Sequence, residues 1–373
     1  MKKIIGFLKK ETVLSIAWTL AIVTAIIIPP DGTYLQYIDF RTLGLLFCLM
    51  TVMSGFDTLG VFEQVGKKLV SKASNSHKLE AILVFLCFFS SMLITNDVAL
   101  ITFVPFAAVV LSMCGMEERL PFVVIFQTIA ANMGSTLLPI GNPQNIYLYS
   151  KAGYTVFQFM LVMLPYVMVS FFMILACILF RKNETVLPIV YHEKRKNTGI
   201  GIWIYSVLFL FSLFAVFQWI PVWAAVIIVV ATVFIYDRKC FLKVDYSLLL
   251  TFVGFFLFVG NMGKIPLFAD TIHKIILGNE VIVSVAVSQV ISNVPATLLL
   301  SGFTSEWDKL LMGVNLGGLG TMIASMASLI SYKYIKELMP ERQKQYFAGF
   351  TKWNVVFLAA LLLLYYILTI ILY

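Results

Sequence analysis

The stretch "SSMLITNDVALITFVP", residues 90–105, sets an acid in the middle of an apolar run with no basic residue beside it. An acid at the centre of an apolar membrane helix costs about 2.5–3.5 kcal/mol on insertion scales and is usually functional. The segments either side, 79–94 and 98–113, are short, and they meet at Thr95, Asn96 and Asp97. What that junction is for depends on the chain around it.

The 373 residues are 60% hydrophobic and only 12% charged. A soluble domain is nearer a quarter charged, because its surface faces water. Apolar runs of about 20 residues, the length that carries a helix across the hydrocarbon layer, recur from end to end. The expected fold is therefore an all-α polytopic membrane protein, with the lipid bilayer as its main partner. The net charge of +8 is read as basic loops that set topology rather than as a nucleic-acid surface; no nucleic-acid partner is expected. Cys48, Cys87, Cys114, Cys177 and Cys240 show neither metal nor disulfide spacing and read as core residues. The three histidines, all near loops, do not suggest a metal centre. The start, "MKKIIGFLKKETVLSIAWTLAIVTAIIIPPDG", has a basic head, a long apolar part and no small-x-small cleavage site, so it is read as an uncleaved first span.

Basic clusters divide the chain: Lys2/Lys3/Lys9/Lys10, Lys67/Lys68/Lys72/Lys78, Arg181/Lys182 with "HEKRK" at 192–196, Arg238/Lys239/Lys243, and "SYKYIKELMPERQK" from Ser331. By the positive-inside rule all five are cytoplasmic, while "PPDGTYLQYIDF", "SKAGYT", "FQWIPVW" and "TSEWDK" lie outside. Lys78 and Glu117–Arg119 then share a side, although only about one and a half ordinary spans separate them. A re-entrant hairpin turning at "TND" resolves this, its broken backbone satisfied by protein or a wet cavity. Two thin full spans would put Glu117–Arg119 on the same side, so charge alone leaves both open. Spans at 12–29, 41–56, 121–149, 155–180, 201–219, 221–236, 246–260, 310–332 and 351–372 make nine crossings, with the N-terminus cytoplasmic and the C-terminus external.

The second half repeats the first. Residues from Ile38 align without gaps on those from Val244, pairing Asp39 with Asp245 and Lys68 with Lys274. "ITND" at 94–97 aligns on "ISNV" at 291–294, and "NMGSTLLPIGNPQNI" from Asn132 on "NLGGLGTMIASMASLI" from Asn315. Leu and Ile matches are expected between any two membrane helices; an ordered series of polar, Gly-rich matches is not. The expected organisation is an N-terminal span (1–37), a first inverted repeat (38–180; hairpin 79–113, broken helix 121–149), a cytoplasmic linker with connecting spans (181–243), and a second inverted repeat (244–373; hairpin 280–304, broken helix 310–332).

Inverted repeats with broken helices belong to secondary transporters, whose sites lie near the bilayer midplane. At a hairpin tip one helix offers free carbonyls to a cation and the next offers N–H groups to an anion. Thr95, Asn96, Ser292 and Asn293 add small polar groups there. At the breaks, glycines including Gly141 permit close backbone approach, and Asn132, Ser135, Thr136, Asn142, Asn145, Asn315, Thr321, Ser325 and Ser328 line the gap. Asp97 reads both as the N-cap of the second short helix and as a coupling residue that binds Na⁺ or carries a proton. Its repeat partner is Val294, which puts coupling mainly in the first half.

"TNDVALITFVP", "NMGSTLLPIGNPQN", "ISNVPATLL" and "NLGGLGTMIASMASLI" resemble the ion transporter superfamily, which holds arsenite permeases, D-type sodium–proton antiporters, citrate transporters and divalent anion symporters. The similar order covers about residues 38–372 and is closest to the putative anion permeases of the arsenite-permease and citrate-transporter-like branch. The resemblance implies substrate and cation roles for Thr95, Asn96, Asp97, Asn142, Ser292, Asn293 and Ser325, and a family that is often dimeric. The tips depart from the Ser-Asn-Thr of dicarboxylate symporters, which weakens a dicarboxylate assignment.

The expected function is transport of a small anion or oxyanion, coupled to Na⁺ or H⁺, across the cytoplasmic (inner) membrane. Substrate contacts are expected from Asn96, Ser135, Thr136, Asn142, Asn145, Ser292, Asn293, Thr321, Ser325 and Ser328. Ion contacts, with Na⁺ near Asp97, are expected from Thr95, Asn96, Asp97, Asn132, Gly141, Asn293 and Asn315. No other cofactor is expected. A sodium–proton antiporter, an arsenite-type efflux permease and a channel stay open as rivals. An intramembrane enzyme is disfavoured, because the spans hold no His-x-x-His pair, paired acids or Ser–His dyad.

Overall fold

In hydrocarbon the backbone must satisfy its own N–H and C=O groups, and helices do so within one segment. The computed structural model describes residues 11–71, 73–186 and 199–372. The basic residues Lys2, Lys3, Lys9, Lys10, Lys72 and the 192–196 cluster lie outside these. The regular elements of the described chain are all helices, apart from one isolated bridge between Asn75 and Thr185. In order the helices are α1 (Thr12–Ile27), α2 (Tyr34–Tyr37), α3 (Phe40–Thr58), α4 (Val61–Val70), α5 (Ser76–Ile94), α6 (Asn96–Met113), α7 (Leu120–Gly134), α8 (Pro143–Ala152) and α9 (Val156–Leu179). The second half continues with α10 (Gly199–Val216), α11 (Val222–Tyr236), α12 (Tyr246–Gly263), α13 (Pro266–Ile276), α14 (Glu280–Ile291), α15 (Asn293–Leu300), α16 (Trp307–Leu316), α17 (Met326–Leu338) and α18 (Gln343–Leu372).

Of the nine expected crossings, α3, α9, α10, α12 and α18 are single helices long and apolar enough to cross a membrane. The shorter α1 and α11 are apolar too. The remaining two, α7/α8 and α16/α17, are broken where the Gly- and Pro-rich sequence falls. The arms of the first hairpin differ from the expected short helices: α5 has 19 residues and α6 has 18, each long enough to span by itself. The added turn of α5 comes from Asn75, whose side chain accepts the Lys78 N–H and starts the helix early. The arms of the second hairpin are shorter, 12 and 8 residues, and α14 is bent by 112° against the preceding α13.

Polar pairs sort the loops into two faces. On one, Lys243 meets Asp57, Arg342 meets Glu118, and Arg119 and Arg181 both reach the buried Glu80. On the other, Lys264 meets Asp31, Lys309 meets the buried Glu280, and Tyr154 bonds Asp308. α3 runs from the second face to the first, about 28 Å at 1.5 Å per residue, and α12 runs back. Each opens on an aspartate that caps it identically: Asp39 accepts the Thr42 N–H at 3.0 Å and Asp245 the Leu248 N–H at 2.9 Å. Glu80 and Arg119, at the two ends of the α5–α6 arms, are 2.8 Å apart, so this pair enters and leaves at one face. The Glu280–Lys309 pair ties the mouth of α14–α15 to the other.

The broken helices sit tight against these hairpins. A Cβ on Gly134 would strike the Phe88 carbonyl and come 2.8 Å from the Ser91 hydroxyl; one on Gly317 would come 2.7 Å from the Ser288 hydroxyl. Ser91 and Ser288 therefore fill the same place in the two halves. Gln127, buried in α7, donates to the carbonyls of Leu83 (3.1 Å) and Phe103 (3.2 Å) and so pins both arms of the first hairpin.

Candidate functional site

Both hairpins turn on a single residue. Thr95 (φ 67°, ψ 150°) ends α5 and precedes α6; Ser292 (φ 73°, ψ 155°) does the same between α14 and α15. L-residues avoid this region, and a β-branched threonine there is a true outlier, of the kind that gathers at binding sites. Asp97 is not the N-cap. α6 starts at Asn96, with Thr95 in the cap position making no side-chain cap bond. The Asp97 N–H is instead met by the Asn96 side chain at 2.9 Å, so the Asp97 carboxylate is not spent on the helix.

The two tips and the two breaks border one cavity of about 230 Å³, lined by Asn96 and Asp97, Ser292 and Asn293, Asn142, Gln144 and Ser325, with Thr251 and Asp245 from α12. Three buried oxygens on this lining have no hydrogen-bond partner among the described residues: Asp97 Oδ1, Asn142 Oδ1 and Gln144 Oε1. A buried acceptor without a partner carries a desolvation cost of about 1–3 kcal/mol, which a bound cation, proton or hydroxylated solute would relieve. Glu11, Asp97 and Asp245 bring three carboxylates to the cavity, and no Lys, Arg or His is among its described lining residues.

Behind the lining, amides cross-link the halves. Asn132 Oδ1 accepts from Asn96 Nδ2 (3.0 Å) and from the Ser325 hydroxyl (2.9 Å). Asn315 Nδ2 donates to Asn145 Oδ1 at 2.8 Å, and Asn145 Nδ2 to the Ser135 carbonyl at 3.2 Å. Asn142 Nδ2 donates to the Ser135 hydroxyl at 2.6 Å, which leaves Oδ1 as the unpaired atom of that amide among the described residues. The second tip is held to its break by Asn293 N–H donating to the Ala324 carbonyl at 3.0 Å.

Of the residues singled out from sequence, Asn96, Asp97, Asn142, Ser292, Asn293 and Ser325 line the cavity. Asn132, Asn145, Asn315 and Ser328 lie buried behind it, with Ser135 and Thr136, whose hydroxyls bond their own helix's carbonyls. Thr95 shapes the tip, and Gly141 packs where a side chain would strike the Ser135 carbonyl. Thr321 lies elsewhere: it is exposed, its N–H and hydroxyl both bonded to Gln289. Sequence reasoning did not place Gln144, Thr251, Asp245 or Glu11 at the site. For Asp245 a signal was present, since it anchored the repeat alignment opposite Asp39.

Residues 4–305 match the sequence model of a family described as Citrate transporter, CitMHS. The chain belongs to the CitMHS citrate transporter family. It is 34% identical over 300 residues to the "Uncharacterized transporter MJ0456" of Methanocaldococcus jannaschii, covering 79% of this chain and 81% of that protein. It is 30% identical over 310 residues to the "Inner membrane protein YbiR" of Escherichia coli, covering 79% and 80%. A shorter match, 30% over 139 residues, joins 37% of this chain to 28% of the rice "Silicon efflux transporter LSI3". This CitMHS member is an integral membrane transporter within the ion transporter superfamily that its motifs resemble.

Proposed function

We propose that this CitMHS protein is a secondary transporter of the inner membrane that moves one small solute by alternating access, coupled to H⁺ or Na⁺ at Asp97. The observation that carries this is the meeting of two tips and two breaks in one cavity, with Asp97 Oδ1, Asn142 Oδ1 and Gln144 Oε1 buried and unpartnered on its wall. Three neutral or anionic oxygens on residues that line one cavity suit a hard monovalent cation or a proton shared with the carboxylate. The antiparallel α3 and α12, and hairpin mouths tied at different faces, favour an inverted repeat with residues 38–180 opposite 244–373. The N-terminus is then cytoplasmic, the C-terminus external, and no catalytic step is assigned.

Three carboxylates around about 230 Å³ argue for a solute of low negative charge. A small oxyanion fits if a proton or Na⁺ enters with it and its oxygens meet the first turns of α6 and α15. A citrate trianion would face Glu11, Asp97 and Asp245. The same acidity favours a second reading, efflux of an undissociated hydroxide of the arsenite type, over a plain antiporter, because Ser292, Asn293 and Ser325 supply polar groups beyond what a cation needs.

The test is thermal stability of the purified protein across pH, with and without Na⁺, against arsenite, phosphate, sulfate, citrate and succinate, for wild type and Asp97→Asn. Stabilisation by one solute, strengthened by Na⁺ or acid in wild type alone, is the expected result. Response to Na⁺ and pH alone would make it an antiporter, and the same solute response in both proteins would remove Asp97 from coupling.

A further inference from the structure

A second and larger hollow lies outside this site. A groove of about 1000 Å³ runs between the start of α3 and the α10–α11 turn, walled by Phe40, Phe47, Val222 and two tryptophans, with Arg41 as its one cationic side chain among the described residues. Gly44 lets the helices close at its floor, since a Cβ there would sit 2.6 Å from Val222. Trp219 and Trp223 are 71% and 68% exposed. Tryptophans so placed mark the level where hydrocarbon meets headgroups, which also fits the polar Asp31–Lys264 pair at this face.

Arg41 is the anomaly. Its Nη2 is buried and has no hydrogen-bond partner among the described residues. The nearest acid in sequence, Asp39, is already engaged through both carboxylate oxygens by Thr42, at 3.0 and 2.6 Å. A guanidinium donor against an apolar wall is costly unless an acceptor reaches it. Among the described residues no carboxylate lines the groove to receive the ammonium of a zwitterionic headgroup.

We infer that the groove is a binding site for an anionic phospholipid, its phosphate on the Arg41 guanidinium and one acyl chain along Phe47 and Val222. A planar guanidinium suits two phosphate oxygens, and the apolar remainder of the groove offers a free inorganic phosphate nothing.

The experiment is to reconstitute the full chain into vesicles of equal parts phosphatidylglycerol and phosphatidylcholine, re-extract it gently, and count retained lipids by native mass spectrometry. Wild type should keep phosphatidylglycerol over phosphatidylcholine by about fivefold or more. Arg41→Gln should retain about tenfold less, the loss of one charge-assisted contact, and Arg41→Lys should keep the preference. Val226→Trp, which fills the groove and leaves Arg41 in place, gives the same loss by a route that spares the charge. Equal retention of both lipids by wild type, a preference that survives Arg41→Gln and Val226→Trp in cooperatively melting protein, or a dimer cross-linked through Trp223→Cys with no lipid retained would each overturn the assignment.

Discussion

The two hairpin tips share a backbone and differ in chemistry. Thr95 and Ser292 hold nearly the same left-handed geometry, and Asn96 and Asn293 follow each on the cavity wall. The third position is Asp97 in one and Val294 in the other. Around Asp97 the first break leaves Asn142 Oδ1 and Gln144 Oε1 without partners; the second break spends its Ala324 carbonyl on the Asn293 N–H and sets a serine, Ser325, opposite Asn142. One tip shares its cavity wall with spare amide oxygens, and the other is tied to its break. Equal geometry can thus carry unequal chemistry, and in the proposed function the first tip takes the ion and the second the solute.

The largest expected effect breaks that asymmetry directly. Asp97→Asn should abolish coupled transport in proteoliposomes, by about a hundredfold or more, roughly the 2.7 kcal/mol of one charge-assisted contact, while the melting temperature stays near wild type. Moving the acid across, in Asp97→Val with Val294→Asp, should not restore it, because the spare oxygens of Asn142 and Gln144 belong to the first half. Recovery in that double variant would mean that any tip acid suffices.

Next come the hairpin mouths. Arg119→Met leaves the fully buried Glu80 with only the more distant Arg181 at 3.7 Å, and removing one member of a buried pair costs about 3–5 kcal/mol. Lys309→Met should cost less, since its bond to Glu280 is 3.8 Å and Lys309 is half-exposed. Chemical unfolding of both variants in one detergent would rank them, and the reverse order would show that the second mouth is the tighter anchor. Asn293→Ala should raise the apparent Kd for the solute about tenfold with coupling stoichiometry unchanged, one lost polar contact; a change in stoichiometry instead would give the second tip a share of the ion. The smallest effect is expected at the turn itself. Thr95→Gly relieves a β-branched residue at positive φ but frees the unfolded chain, so stability should shift by no more than about 1 kcal/mol.

Apolar run length and the Gly, Pro and Asn clusters made the spans, both tips and both breaks legible, since each follows from local hydrogen-bonding needs. Asp97 shows where local rules stop. Asp is a good cap, yet Thr95 takes that position because the turn uses one residue, too few to leave a cap between α5 and α6. Glu11 and Asp245 reach the cavity only through the packing of α1 and α12, held by Trp18 bonding the Leu250 carbonyl and Asn261 bonding Thr24 and Tyr34. No motif announces such long-range contacts. Likewise Gln289, which donates to the Gly317 and Leu319 carbonyls and captures Thr321, looked like any polar residue in an apolar helix.

The bond from Ser325 to Asn132 has a consequence for how the protein is made. These residues are 193 positions apart, so Asn132 leaves the ribosome long before its partner exists. At about 5–20 residues per second the wait is roughly 10–40 s. Throughout it, Asn132 Oδ1 keeps only the bond from Asn96 of its own half, and its Nδ2 waits for the Gly318 carbonyl where lipid offers no substitute acceptor. The nascent first half must therefore keep these polar groups sheltered from lipid until residues 318 and 325 emerge.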